Sequence, residues 1–232
     1  MPPRRKVPRE GPIVDDIHLK YLDLGALGGR GGVVRFFLLS HKIHFTEELY
    51  DPATEWPAIK KQLVETGENP TGTVPVVRYN EQTLTQHVAI MREVCKIRGL
   101  CLGDHGNDVV ADHYAGLRDK WVEAAFMGGD KAAFGALVKE QMRVFEALYA
   151  KYAQHDYFLK LASDGMPLWG DYCLASFIRD LKLTGFLAES DLPPRVKKMY
   201  DALISLPDIA NWIADKEGGG ADGGEEPPKE SS

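Results

Sequence analysis

Cysteine is scarce in this 232-residue chain. There are three, Cys95, Cys101 and Cys173. An odd number at wide spacing makes neither a disulfide framework nor a metal knuckle, and a reducing compartment, the cytoplasm, is the expected setting. Long apolar runs are also missing, and none approaches the roughly 18 residues that a membrane span needs. Positive charge is not in excess: 28 Lys and Arg stand against 34 Asp and Glu, a net charge of −6. With no sustained basic stripe, a nucleic-acid partner is not expected. The histidines lack metal-ligand spacing, since His41 and His44 are i and i+3 without an accompanying acid or cysteine cluster. GALGGRGG, from Gly25, is neither GxGxxG nor a phosphate loop with its Lys-Ser/Thr. What remains is 44% apolar and 27% charged. That composition excludes bulk disorder, collagen and coiled coil, and suits one large globular domain or two small ones.

The ends read as tails. MPPRRKVPREGP opens the chain with four basic residues and four prolines. No apolar segment follows it, so it is not a secretory signal. EGGGADGGEEPPKESS closes the chain and has too little apolar surface to offset its conformational entropy. Residues 1–15 and 217–232 are therefore expected to be disordered.

Between them the hydrophobic period changes near residue 100. HLKYLDL (18–24) reads as a strand, ALGGRGG as a loop, and VVRFFLLSHK as a buried helix. IHFTEELYD reads as a second strand, with Ile43 and Phe45 on one face, and residues 55–64 as a helix. TVPVVRY is a β-rich run whose internal Pro75 marks either an edge strand or a special turn. Asn80 and Glu81 turn into QTL, and a helix opens at Thr85 or Gln86 and runs to Ile97. The order is β-α-β-α-β-β-α. After Gly99 only helices are expected: 109–126, 131–152, 168–183, 193–206 and 207–214, with Pro194 and Pro207 in first turns. The pattern thus divides the chain into an α/β unit, 16–98, and an all-helical unit, 99–216.

Four segments carry a resemblance. They are LKYLDL, WPAIK (56–60), GTVPVV followed by QTLTQHVAIMREV, and LPPRVKKMYDALISLPDIANWI. Together they resemble the cytosolic glutathione transferase superfamily over residues 16–215, nearest to its tyrosine-type, sigma-like class, which includes glutathione-dependent prostaglandin D synthases. The fold implied is a thioredoxin-like α/β domain followed by an all-α domain. The cosubstrate implied is glutathione, with no metal.

The residues take their roles from that resemblance. A thiol titrates near about 8.5, and a hydroxyl donor at the sulfur favours the thiolate. The family's strand-one Tyr does this, and Tyr21 matches it. From the strand pattern alone, Tyr21 is a core ring with its hydroxyl at the rim. Arg30 matches an Arg near the sulfur, within a loop read as about three residues longer than usual. Trp56 and Lys60 match positions that hold the glycyl end of glutathione. Thr73, Val74 and Pro75 match the cis-proline turn that offers a strand-like edge to its cysteinyl backbone. Gln86 and His87 match the Gln/Glu-Ser pair that holds the γ-glutamyl carboxylate at a helix amino end, with His standing where Ser is usual. As a residue alone, His87 is equally a solvent-facing first-turn side chain. Asp119, with Asp112 as the other candidate, falls near acids that reach the partner subunit's glutathione. Asp171 matches a buried Asp that ties down the sixth helix, whose usual Ser/Thr cap is Leu168 here. No Cys ends strand one, which argues against thiol-transferase chemistry.

The activity implied is conjugation of glutathione to hydrophobic electrophiles, a detoxifying reaction, by a homodimer in the cytoplasm. A glutathione-dependent isomerase acting on a prostaglandin-like lipid, or a non-catalytic binding protein of the same fold, are the alternatives. Tyr114, Trp121, Phe126 and Met127 are candidate liners of the second-substrate cleft, at least two of them expected in the core.

Overall fold

The structure is a computed structural model that describes residues 17–218. Most of the two segments read as tails lies outside the described residues; Glu217 and Gly218 end the last helix.

Strand β1 (Ile17–Leu22) alternates, with Ile17, Leu19 and Tyr21 buried on one face, the period of a half-covered strand. It pairs in parallel with β2 (Thr46–Tyr50) and antiparallel with β3 (Val76–Tyr79), which pairs antiparallel with β4 (Gln82–Thr85). The sheet order is β2-β1-β3-β4. The parallel pair needs a crossover, supplied by α1 (Gly29–Ser40); α2 (Trp56–Glu65) and α3 (His87–Arg98) complete the α/β part. The expected order is thus present. β3 lies inside the sheet, so of the two readings of Pro75 the special turn holds: Pro75 precedes β3, and Val74–Pro75 is cis. Asn80, at φ +53°, makes the tight turn into β4 with Glu81.

Among the described residues five α-helices follow: α4 (His105–Phe126), α5 (Lys131–Tyr152), α6 (Trp169–Leu183), α7 (Pro194–Ile204) and α8 (Pro207–Gly218). Residues 169–181 of α6 are all buried, so α6 is the axis of the helical layer and is apolar nearly all round. α1 packs between the sheet and α6, which is why Val33, Val34, Phe36, Phe37 and Leu38 are fully covered.

Three sequence readings need correction. Ile43 and Phe45 lie ahead of the second strand, which starts at Thr46, so they do not share a strand face. GGRGG is not a loop: Gly29, Arg30, Gly31 and Gly32 form the first turn of α1, so the stretch between β1 and α1 is shorter than expected. Glycine's poor helix propensity is overridden by packing on both sides. A Cβ on Gly31 would lie 2.3 Å from the Tyr21 ring, and one on Gly28 would lie 3.1 Å from Ser176 Oγ. The missing Ser/Thr cap of α6 is replaced from another helix, since Asn107 Oδ1 of α4 accepts from Gly170 N–H at 2.9 Å. Asp171 plays its expected tying role. Its carboxyl accepts from Tyr149 O–H at 2.7 Å and from Leu159 N–H at 3.3 Å.

Candidate functional site

A cleft of about 380 Å³ opens between the two layers. One wall is the turn before β3. Its geometry comes from Asn69, which is fully buried: Oδ1 accepts from Thr71 N–H (3.1 Å) and Oγ–H (2.8 Å), and Nδ2 donates to the Thr73 carbonyl. Gly72 allows the chain to pass over α2, at φ +58°, where a Cβ would stand 3.2 Å from the Lys60 stem. The result delivers Thr73, Val74 and Pro75 to the cleft. The ladder begins only at Val76, so Val74 stands outside it.

The far end is the amino end of α3, where Gln86 (φ +66°) and His87 line the cleft and no side chain caps the helix. Uncapped first-turn N–H groups and the positive dipole end favour an anion. The His87 ring is turned inward, edge-on to Tyr114 at 5.6 Å, with both ring nitrogens buried and unpartnered. Burial, with Arg30 and Arg118 nearby, pushes its pKa down to about 3, so the imidazole is neutral. The unfolded chain takes up this proton near 6.5 and the folded chain does not. Stability from this group is therefore present above pH 6.5 and lost as pH falls towards 3. Urea unfolding between pH 7 and 4 is expected to show a shallower acid loss in His87→Ser than in wild type. An equal loss in both would assign it to other groups.

The third wall is the first turn of α1. Tyr21 Oη accepts from Arg30 N–H at 2.8 Å, which leaves the phenolic proton free to be donated. Burial raises the Tyr21 pKa, opposed by Arg118 and by the amides of Gly31 and Arg30. Tyr21 is 6% exposed and is not among the lining residues; the side chain of Arg30 is, paired across the cleft with Asp119 of α4 in the same chain.

The remaining expected residues sit apart. Trp56 is half-buried on α2, and Lys60 is exposed with its stem beside Gly72, next to Thr73 rather than inside the cleft. Asp112 is exposed on α4. Of the four candidate second-substrate residues, Tyr114 and Trp121 are core and Phe126 and Met127 are exposed. Sequence reading missed Asn69, Asn107, Arg118 and Asp180. The last two had a signal. Arg118 falls on the stripe Tyr114, Leu117, Arg118, Trp121, and Asp180 on Phe177, Asp180, Leu181, so both charges occupy positions where helical spacing demands core.

Among the described residues no group of three or more His, Cys, Asp or Glu is placed to hold a metal, and no helix is long and apolar enough to cross a membrane.

This architecture is the glutathione S-transferase fold. A glutathione S-transferase of Caenorhabditis elegans superposes with a TM-score of 0.69 at 19% identity, covering 88% of this chain and 99% of that one. The Pi-class glutathione S-transferase of Onchocerca volvulus gives 0.70 at 18%, covering 88% and 95%. The prostaglandin synthase D of Nilaparvata lugens gives 0.61 at 21%, covering 85% and 96%. No family model matches the sequence, and no curated protein matches it.

Proposed function

We infer that this chain binds glutathione in the cleft and transfers its thiolate to a hydrophobic electrophile. The observation that carries this reading is the pairing of two peptide-binding features across one cleft. The cis Val74–Pro75 turn leaves a strand-like edge outside the ladder, and the uncapped amino end of α3 faces it. An acidic tripeptide suits both, its backbone on the first and its γ-glutamyl carboxylate on the second. Gln86 and His87 then serve the carboxylate, Thr73 to Pro75 the cysteinyl backbone, and Trp56 and Lys60 the glycyl end. Arg30 adds positive charge, and Asp119 suits the γ-glutamyl ammonium. The thiol gives up its proton to solvent, the Tyr21 O–H donates to the sulfur anion, and the anion forms the new S–C bond as the electrophile's leaving group departs with the electron pair of the bond it breaks. The second substrate enters from the side of Phe126 and Met127, which are 58% and 73% exposed. We place the protein in the cytoplasm as a homodimer; Cys95, Cys101 and Cys173 are free thiols.

The near burial of the Tyr21 hydroxyl behind the Arg30–Asp119 pair favours a second reading, glutathione binding without turnover. Calorimetric titration with glutathione, a general electrophile assay and a solution mass separate the cases. Binding, conjugation and a dimer mass are expected. Binding without conjugation establishes the second reading, and absence of binding overturns both.

A further inference from the structure

Two charged side chains lie in the interior behind the cleft. Arg118 of α4 and Asp180 of α6 are 1% and 0% exposed, and Nη2 donates to Oδ2 at 2.5 Å. An ion pair taken out of water gains little stability over an apolar pair, so its position asks for another reason. The Asp180 carboxylate also accepts from Gly28 N–H at 2.8 Å and from Gly29 N–H at 2.9 Å. The next N–H along the chain, that of Arg30, is the one donated to Tyr21 Oη. The carboxylate therefore fixes the turn that holds the hydroxyl. The turn is wrapped closely: a Cβ on Gly29 would stand 2.2 Å from Tyr21 Oη. The same geometry brings a full negative charge to the underside of the place where a sulfur anion is to form.

We propose that Arg118 and Asp180 act as a matched charge pair beneath the site, Asp180 positioning Tyr21 through the glycine turn and Arg118 cancelling the carboxylate's repulsion of the thiolate. This rests on the glutathione reading above. The Arg118 guanidinium lies over Trp121 (4.3 Å) and Phe177 (5.1 Å), and its Nη1 is buried without a hydrogen-bond partner among the described residues. The other titratable or charged groups around the pair are Tyr114 of α4, Tyr21 of β1, Arg30 of α1, Cys173 of α6 and the neutral His87 of α3. Arg118 pulls the ionisation of Tyr21 down and Asp180 pushes it up. The two charges thus act on one point with opposite signs, and the carboxylate also reaches it through the glycine turn.

The test is the ultraviolet absorbance of enzyme-bound glutathione thiolate followed against pH. It is run on wild type, Arg118→Gln, Asp180→Asn and the double variant, each shown to be folded by circular dichroism and saturated with glutathione. Arg118→Gln is expected to raise the thiol midpoint by about one pH unit or more; Asp180→Asn, whose amide oxygen still accepts from the glycine turn while the charge is lost, to lower it; and the double variant to return towards wild type. Single variants that shift the midpoint in the same direction, as a damaged scaffold would, overturn the proposal. An unchanged midpoint in Arg118→Gln with glutathione bound overturns it alone. Absence of glutathione binding in wild type removes the glutathione reading and the proposal with it. Should Arg118→Gln fail to fold, Asp180→Asn decides: a midpoint at or above wild type overturns the proposal.

Discussion

Replacing Tyr21 by Phe is expected to lower kcat of glutathione conjugation roughly 10- to 100-fold while the glutathione Kd stays within about threefold. A hydrogen bond to an anion is worth about 1.5–3 kcal/mol, and that range sets the span of the rate loss. The bond matters most when the sulfur is charged, so the loss falls on turnover rather than on binding. The ring itself stays seated, because Phe fills the same space against Gly29 and Gly31. The structural cost falls on the backbone amides at the hydroxyl, chiefly the Arg30 N–H, which loses its acceptor. Steady-state kinetics and calorimetry on the same preparation make the comparison. Equal kcat in the two proteins would remove Tyr21 from the chemistry.

The largest stability effect is expected at Asp171. Its carboxyl serves the Tyr149 hydroxyl and the Leu159 amide, and all three groups are buried. Asp171→Ala leaves two buried donors without an acceptor, at about 1–3 kcal/mol each, so a loss of roughly 2–6 kcal/mol is expected by urea unfolding. Burial pushes the Asp171 pKa up to about 8, against the lowering effect of its two donors. In the unfolded chain the group ionises near 3.8. Over that window the folded state holds a proton that the unfolded state has lost. Stability from this group is full below pH 3.8 and declines as pH rises through 8. Asp171→Asn keeps an acceptor for Tyr149 but has no proton to release. It is expected to unfold near wild type at pH 5 and to show a flatter decline up to pH 8.5. A wild-type decline no steeper than that of Asp171→Asn would mean that the carboxyl is ionised in the folded protein.

Much of the layout was legible because it rests on local periodicity. The short β-rich run HLKYLDL, the hairpin at Asn80–Glu81 and the helical stripe of α5 are all written within a few residues of themselves. The cis turn at Val74–Pro75 was legible only through resemblance, since a proline in a β-rich run is equally an edge marker. What sequence reading missed depends on partners far along the chain. GGRGG reads as a loop because nothing near it explains five residues with four glycines; the explanation is Tyr21 on one side and α6 on the other. Leu168 reads as an uncapped start because its substitute, Asn107, sits on another helix. Arg118 and Asp180 were passed over because charged residues in helices are normally solvated, although their spacing placed them on apolar stripes.

The acceptor for the Gly28 amide lies 152 residues further along the chain. During synthesis the α/β segment is therefore complete in sequence long before it is complete in structure. Until α6 emerges, the first turn of α1 has no cap, and Phe36 and Phe37 have only part of their cover. Domains of most proteins settle one after another as the chain appears. Here the tyrosine's surroundings are assembled by a late, long-range contact, which also makes this part of the fold slow to form relative to its local helices. The site is thus completed only once α6 has emerged, and a nascent chain that stops short of Asp180 carries every residue of the cleft without the contact that fixes the glycine turn.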